Sequence, residues 1–277
     1  MRSKQMKNKR RSLRYGVRHI FMLLISFLSV FPFLWMLVSA TNSSAEISMG
    51  KLLPGTRLVE NLRNAFEAAD IGRAFLNSVY VSVMVTVLSI LVCSAAGYAF
   101  AIYRSRATEI VFLILIASMM VPFAAKLIPL YRIFANMHLL NNYWAIILPA
   151  IGAPFLVFFF RQNSESFPRE TMQAARVDGC SEAGIFLRIY MPMMRSTYAA
   201  AAVFSFMAAW NNYMWPLVAL QSEEKYTLPL MVSNLAGGFA PDYGMIMVGI
   251  VISTLPTIFI FFVLQKNFVE GILGSVK

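Results

Sequence analysis

This sequence predicts an all-α, polytopic membrane protein with six transmembrane helices, and three observations carry the prediction. First, the 277 residues are 58% hydrophobic and only 13% charged, about half the charged share of an ordinary soluble domain. Second, the apolar residues are gathered into six runs, each long enough, at about 20 residues, to cross a bilayer as a helix. Third, these runs are continuous and do not alternate, so they exclude barrel strands, and backbone satisfaction in lipid then requires helices.

Taken in order, residues 1–19 form a basic arm that holds Arg2, Lys4, Lys7, Lys9, Arg10, Arg11, Arg14 and Arg18 with no acid. The uncharged run that follows, about 20–40, is longer than the apolar core of a signal peptide and reads as a retained first span, with the arm as its cytoplasmic anchor. Five more spans are expected at about 76–102, 110–131, 140–160, 197–220 and 243–265, which makes 20–265 the membrane domain and 266–277 a cytoplasmic tail. Six crossings from a cytoplasmic N-terminus put 1–19, 104–109, 161–195 and 266–277 inside, and 41–73, 132–138 and 223–242 outside. On that assignment 17 Lys and Arg lie inside and 7 outside, with Lys126 counted with the outer half of its helix, while the acids divide 6 to 7. The whole formal charge of +11 is therefore cytoplasmic, so it reports topology and needs no nucleic acid.

Several spans carry features of their own. Ser94, Ala95, Ala96, Gly97 and Ala99 in the second are small enough to let helices approach closely. Pro122 and Pro129 in the third should bend it, toward a cavity or a hinge. Lys126 lies in the same span, either as an intramembrane site or as a side chain snorkelling to the outer interface. The fifth contains Trp210-Asn211-Asn212-Tyr213, whose adjacent amides need partners. They read either as part of a translocation path with aromatic surfaces for sugar rings or as interhelical hydrogen bonding within an aromatic belt. Cys93 and Cys180 fall at different depths, so no disulfide framework is implied, and His19 and His138 lack metal-ligand spacing.

The polar stretch 161–196 holds the densest pattern. Pro168 suits the first turn of a helix, Gly179 a turn that ends it, and Ser181 the cap of a second helix. Ile185, Phe186, Ile189 and Tyr190 would form the apolar face of that second helix, until Pro192 breaks it. The run Gln173-Ala174-Ala175-x3-Gly179-x9-Ile189-x-Met191-Pro192 resembles the EAA loop of importer-type ABC permeases, Glu-Ala-Ala-x3-Gly-x9-Ile-x-Leu-Pro, with Gln173 for Glu and Met191 for Leu. The Trp210–Pro216 segment resembles a stretch of the carbohydrate-uptake, MalG-like branch of that family. Leu53-Pro54, Asn61 and Asn77-Ser78 are similar to that branch's stretch before the second span, although a plain connector reads equally well.

The resemblance implies that EAA-type helices between helices 4 and 5 dock an ATP-hydrolysing subunit through Gln173, Ala174, Ala175, Asp178, Gly179, Ile189 and Pro192. It implies that Trp210, Asn211, Asn212 and Tyr213 line the substrate pathway, and that Gly237, Gly238 and Phe239 in the last outer loop meet a binding protein. The implied partners are a second, different permease, two ATPase subunits and an extracytoplasmic sugar-binding protein, with no cofactor and no metal. The implied activity is sugar or oligosaccharide import across the bacterial cell membrane. The chain lacks Gly-x4-Gly-Lys-Ser/Thr, the nearest string being Met49-Gly50-Lys51-Leu52, and it carries no hydrolase motif. No catalytic residue is therefore expected. The alternative, a self-contained secondary transporter or channel, predicts midplane ionisable coupling groups and usually an internal repeat, and neither is visible.

This topology makes a direct prediction. In intact cells an impermeant thiol reagent should label a cysteine introduced at Gly50 or Gly238 and leave Cys180 untouched; labelling of Cys180 would reverse the assignment.

Overall fold

Residues 2–238 and 240–273 are described by the structure, a computed structural model. They contain helices and turns with no strand among the described residues. The chain divides into two compact units, one of residues up to 68 with 235–251, the other of 69–234 with the residues from 252.

In the first unit, α1 (Arg2–Ser39) joins the basic arm and the first expected span in one helix. A capping box follows, in which Ser43 and Glu46 satisfy each other's backbone amides at the start of α2 (Ser44–Ser48). Hydrogen bonds from Lys51 and then from Ser43 bring the Glu46 carboxyl down to about 2. Asn61, on α3 (Leu58–Ala68), is buried and donates from Nδ2 to the carbonyls of Ala40 and Asn42, both at 2.9 Å. Asn42 in turn donates to the Leu53 carbonyl at 3.1 Å. Asp242 precedes α15 (Tyr243–Leu273) and accepts from Ser44 Oγ at 2.8 Å and the Gly244 amide at 3.0 Å. Burial pushes its carboxyl up, but these donors with Met245 and Asn64 outweigh that and hold it below the usual range.

The second unit is built on α4 (Ile71–Ile102), a continuous 32-residue helix capped by Asp70, which accepts from the Arg73 amide at 2.9 Å. It packs against α7 (Tyr143–Ile151), α8 (Pro154–Ser164) and α12 (Arg195–Trp210). The small residues expected to permit close approach do so at Gly97. A Cβ there would sit 2.5 Å from the Phe160 Cβ and 2.8 Å from the Arg161 amide, so α4 and α8 touch almost backbone to backbone.

Three expected spans are interrupted. α5 (Arg106–Ala117), with a short 3-10 turn to Met120, meets α6 (Phe123–Asn136) at a bend of 105°. The cause is local: Val121, before Pro122, is pushed to an extended ψ of 115°. The fourth span breaks at Gly152–Ala153, and Pro154 opens α8. The fifth, expected to be unbroken over 197–220, ends at Trp210 and restarts as α13 (Met214–Ala219), where Pro216 lacks the N–H that would carry the helix back across Asn212. By length and composition, four helices among the described residues can cross a membrane, five if the bent pair is one span. Helix α15 runs to Leu273, so the expected tail after 265 begins as helix.

These interruptions leave carbonyls that side chains answer. Pro149 cannot bond the Ala145 carbonyl four residues back, and Trp215 Nε1 donates to it at 2.8 Å. Pro154 frees the Ala150 carbonyl, which accepts from Ser89 Oγ at 3.1 Å, and Cys93 Sγ lies 3.3 Å from the Ile151 carbonyl. The loops are closed in the same manner. Asn77 Nδ2 donates to the carbonyls of Glu224 at 2.9 Å and Tyr226 at 3.0 Å, and Ser78 Oγ accepts from the Leu228 amide at 2.7 Å. The Asn61 and Asn77-Ser78 pattern is thus a set of loop stitches.

Replacing Trp215 by Phe keeps a six-membered aromatic ring and removes the donor to Ala145, which is fully buried. Trp215→Phe is expected to destabilise the protein by about 0.5–2 kcal/mol, read as a lowered midpoint of thermal unfolding in detergent; an unchanged midpoint would show that the carbonyl finds another donor.

Candidate functional site

Two features stand out in the second unit: the helix–turn–helix of 161–195, and a cavity beside the break in the fifth expected span.

α9 (Arg169–Val177) begins directly after Pro168, which takes the cap position with ψ 112°. It buries Met172 and Ala175 and leaves Gln173, Ala174 and Val177 exposed. The turn that ends it is a Schellman motif, with the Cys180 amide on the Ala175 carbonyl at 2.9 Å and the Gly179 amide on the Arg176 carbonyl at 3.1 Å. Gly179 has φ +81°, a left-handed value that only glycine adopts without steric cost. Asp178, exposed, is the last residue before it and forms the C-cap. Ser181 then caps α10 (Glu182–Ile185) by accepting from the Gly184 amide at 3.2 Å.

One expectation fails here. Pro192 does not break the second helix, because a π-helical turn over Phe186–Tyr190 leads directly into α11 (Met191–Met193), which contains it. The wider turn relieves the clash between a proline ring and the carbonyl four residues back. The interruption comes at Met194, where ψ rises to 19° before α12.

The apolar side of this element closes on the end of α4. Tyr190 is fully buried, with ring centroids at 4.8 Å to Tyr98, 5.4 Å to Phe186 and 5.4 Å to Phe167. Ser164 Oγ donates to the Phe160 carbonyl at 2.6 Å, so the Tyr190 hydroxyl donates to Ser164 Oγ, also at 2.6 Å. Burial pushes the Tyr190 phenol up, which keeps it protonated. Ile185 is buried and Ile189 partly so. Ion pairs reinforce the junction. Arg161 is 11% exposed, lies 2.6 and 2.8 Å from the two oxygens of Glu109, and stacks 3.8 Å over the Phe112 ring; Arg104 pairs with Glu165 at 2.5 Å. Arg176 holds Glu182 at 2.6 Å, and Tyr103 donates its hydroxyl to the same carboxylate. Hydrogen bonds from Arg176 and then Tyr103 hold the Glu182 carboxyl below the usual range.

The opposite side carries apolar groups that this chain leaves uncovered. Val177 is 87% exposed and Leu187 57%. Leu187 lines an open cleft of about 420 Å³ together with Gly179, Cys180, Ser181 and Arg188. Pro192 is also exposed.

The second feature, a cavity of about 210 Å³, is lined by Val85, Ile146, Ala150, Leu156, Ser205 and Asn212 among others. Of the four residues singled out at the break, only Asn212 reaches it. Trp210 is buried, packs edge-on to Phe75 at 5.7 Å and donates from Nε1 to the Ser253 carbonyl at 2.9 Å. Asn211 returns its amide to the Met207 carbonyl at 2.9 Å, and the Tyr213 hydroxyl accepts from Ser233 at 3.0 Å. Gly237 and Gly238 are exposed, and Phe239 lies outside the described residues.

Sequence reasoning missed Tyr103, Arg176 and Glu182, and it missed Arg161 with Glu109. The signal for the first group was faint: opposite charges at 176 and 182 straddling a glycine turn. Tyr103 and Glu109 announce nothing, because their partners are 79 and 52 residues away.

The family described as binding-protein-dependent transport system inner membrane component matches residues 93–273, which include the helix–turn–helix and all of the cavity lining except Val85. The lactose transport system permease protein LacG of Rhizobium radiobacter is 47% identical over 97% of this chain and 98% of its own. The chain belongs to the binding-protein-dependent transport inner-membrane component family. It is a multi-pass inner-membrane protein. The arabinooligosaccharides transport system permease protein AraQ of Halalkalibacterium halodurans is 37% identical over 91% of this chain and 93% of its own. Among solved structures, a bacterial ABC transporter involved in the import of the acidic polysaccharide alginate shares the fold, with a TM-score of 0.79 at 22% identity over 91% of this chain and 95% of that one.

The buried hydroxyl of Tyr190 sets an expectation for the helix–turn–helix. Tyr190→Phe should cost about 0.5–1.5 kcal/mol and Tyr190→Ala about 3–5 kcal/mol, because the second change also empties the centre of the aromatic cluster. Thermal unfolding of the purified protein reads both, and equal losses would mean that the ring contributes nothing.

Proposed function

We propose that this chain is one of two permease subunits of an ABC importer for sugars or oligosaccharides. It forms half of the translocation pathway and is coupled to separate ATPase subunits through the 161–195 loop. The observation that carries the reading is the two-faced helix–turn–helix. Its inner side is seated on the end of α4 through Tyr190 and Tyr98, while elsewhere it offers exposed Val177 and a cleft lined by exposed Leu187. A short helix with apolar groups left uncovered is suited to a groove on another protein. The sugar class rests on the relatives named for lactose and for arabinooligosaccharides.

In this reading the chain crosses the membrane six times, the broken 197–220 segment included, with both termini and the 161–195 loop in the cytoplasm. ATP is hydrolysed on the partner subunits. Closure of the ATPase pair moves the docked helix pair, and the permease alternates between outward and inward access around a central cavity that includes Asn212. An extracytoplasmic sugar-binding protein delivers substrate to the outer face, where Gly237, Gly238 and Phe239 stand in the last loop, and a second, different permease completes the pathway.

Gly179→Val tests this. A Cβ at this position meets nothing within 4 Å, so the whole cost, about 1–3 kcal/mol, is backbone strain in the turn between the docking helices. The variant should insert and assemble, while binding-protein-stimulated ATP hydrolysis and sugar uptake both fall. Normal stimulated hydrolysis and uptake would reject the coupling role of the loop.

A further inference from the structure

Helices α9 and α10 are joined by a four-residue turn whose central glycine sits in a soft, left-handed conformation. Left to itself, such a joint would absorb a push on the outer face by folding. Glu182 lies across this joint. It is the first residue of α10, and its carboxylate accepts from Arg176 of α9 through Nε at 2.6 Å and Nη2 at 3.2 Å, closing the turn from the side. The same carboxylate accepts the hydroxyl of Tyr103, the residue that ends α4. Three helix ends thus meet on one acid.

Stability does not explain the arrangement. Arg176 and Glu182 are 38% and 48% exposed, and ion pairs that open to solvent contribute little to folding. Their placement is what matters. The Tyr103 ring also stands edge-on to Tyr98 at 6.4 Å, and Tyr98 packs on Phe186 at 5.3 Å, so the junction is braced from its apolar side. Beyond it, α4 runs as one unbroken helix to Val85 in the cavity wall.

We propose that Glu182, held by Arg176 and Tyr103, is the positioning residue that makes the helix pair move as one body with α4. Displacement of the docking surface then reaches the cavity as movement of α4 and is not lost in the Gly179 turn. This rests on the coupling role proposed above for the 161–195 loop, and it adds Tyr103, which lies outside that loop.

The test uses the complex purified with its co-expressed ATPase. The parent carries Cys180→Ser, to remove the exposed thiol, and Ala208→Cys, a reporter in the cavity lining. The rate of alkylation at position 208 by N-ethylmaleimide is measured with and without ATP, beside kcat and KM for ATP hydrolysis without binding protein. Tyr103→Phe should leave assembly, kcat and KM as in the parent, and Glu182→Gln and Tyr103→Phe should each shrink the ATP-dependent rate ratio on the order of threefold or more. The double variant should lose no more than the worse single, because both changes cut one strap. A parent-like ratio in both single variants would overturn the proposal, as would additive losses. Failure of Tyr103→Phe to co-purify with the ATPase would also overturn it, by making the residue part of the dock. A parent that neither retains the ATPase nor responds to ATP would instead defeat the coupling reading, and this proposal with it.

Discussion

A carbonyl left without a donor in an apolar bundle is among the more destabilising things a membrane protein can contain, and this chain creates several by placing prolines inside its helices. Two are answered from a neighbouring element. Trp215 reaches the Ala145 carbonyl that Pro149 abandons, and Ser89 reaches the Ala150 carbonyl freed by Pro154. Those two bonds fix α13 and α4 against the α7–α8 break. They also permit the break, which opens space for the cavity beside Asn212. Irregular backbone at membrane depth is tolerated where protein buries it or where it lines a cavity, and both conditions hold here.

The same requirement makes α4 the common member of the second unit. Its small residues accept α8 at Gly97, its hydroxyl and thiol serve the α7–α8 break, and its final turn supplies Tyr98 and Tyr103 to the helix–turn–helix. One unbroken helix therefore touches both the cavity and the two-faced surface element. α12 runs beside it, following the surface element directly and lining the same cavity through Phe204, Ser205, Ala208 and Ala209.

Much of the candidate site is legible in the amino-acid sequence. Gly179 reads as a turn glycine because a helix pattern stops at it and a capping serine follows, and its φ of +81° and the Ser181 cap bear this out. Pro192 misleads, because a proline in a helical pattern normally marks an end, whereas a π-helical turn upstream absorbs it. Asn211 and Asn212 look along the chain like one pair inside a helix. They part company because the helix stops between Trp210 and Met214, which turns one amide to its own backbone and the other toward the cavity.

What the sequence determined by itself was set by solubility and by local backbone chemistry: an all-helical membrane protein, the apolar segments, and the turn of the surface helix pair. Hydrophobic length and turn propensity act within some 20 residues, so they can be read along the chain. The tertiary structure alone decided where the long spans break without penalty, which amides face the cavity, and that Tyr103, Arg176 and Glu182 meet. Those outcomes depend on donors and acceptors supplied from distant segments, such as Trp215 for Ala145 and Tyr103 for Glu182. Such pairing is a property of packed helices, and no local pattern in the chain encodes it.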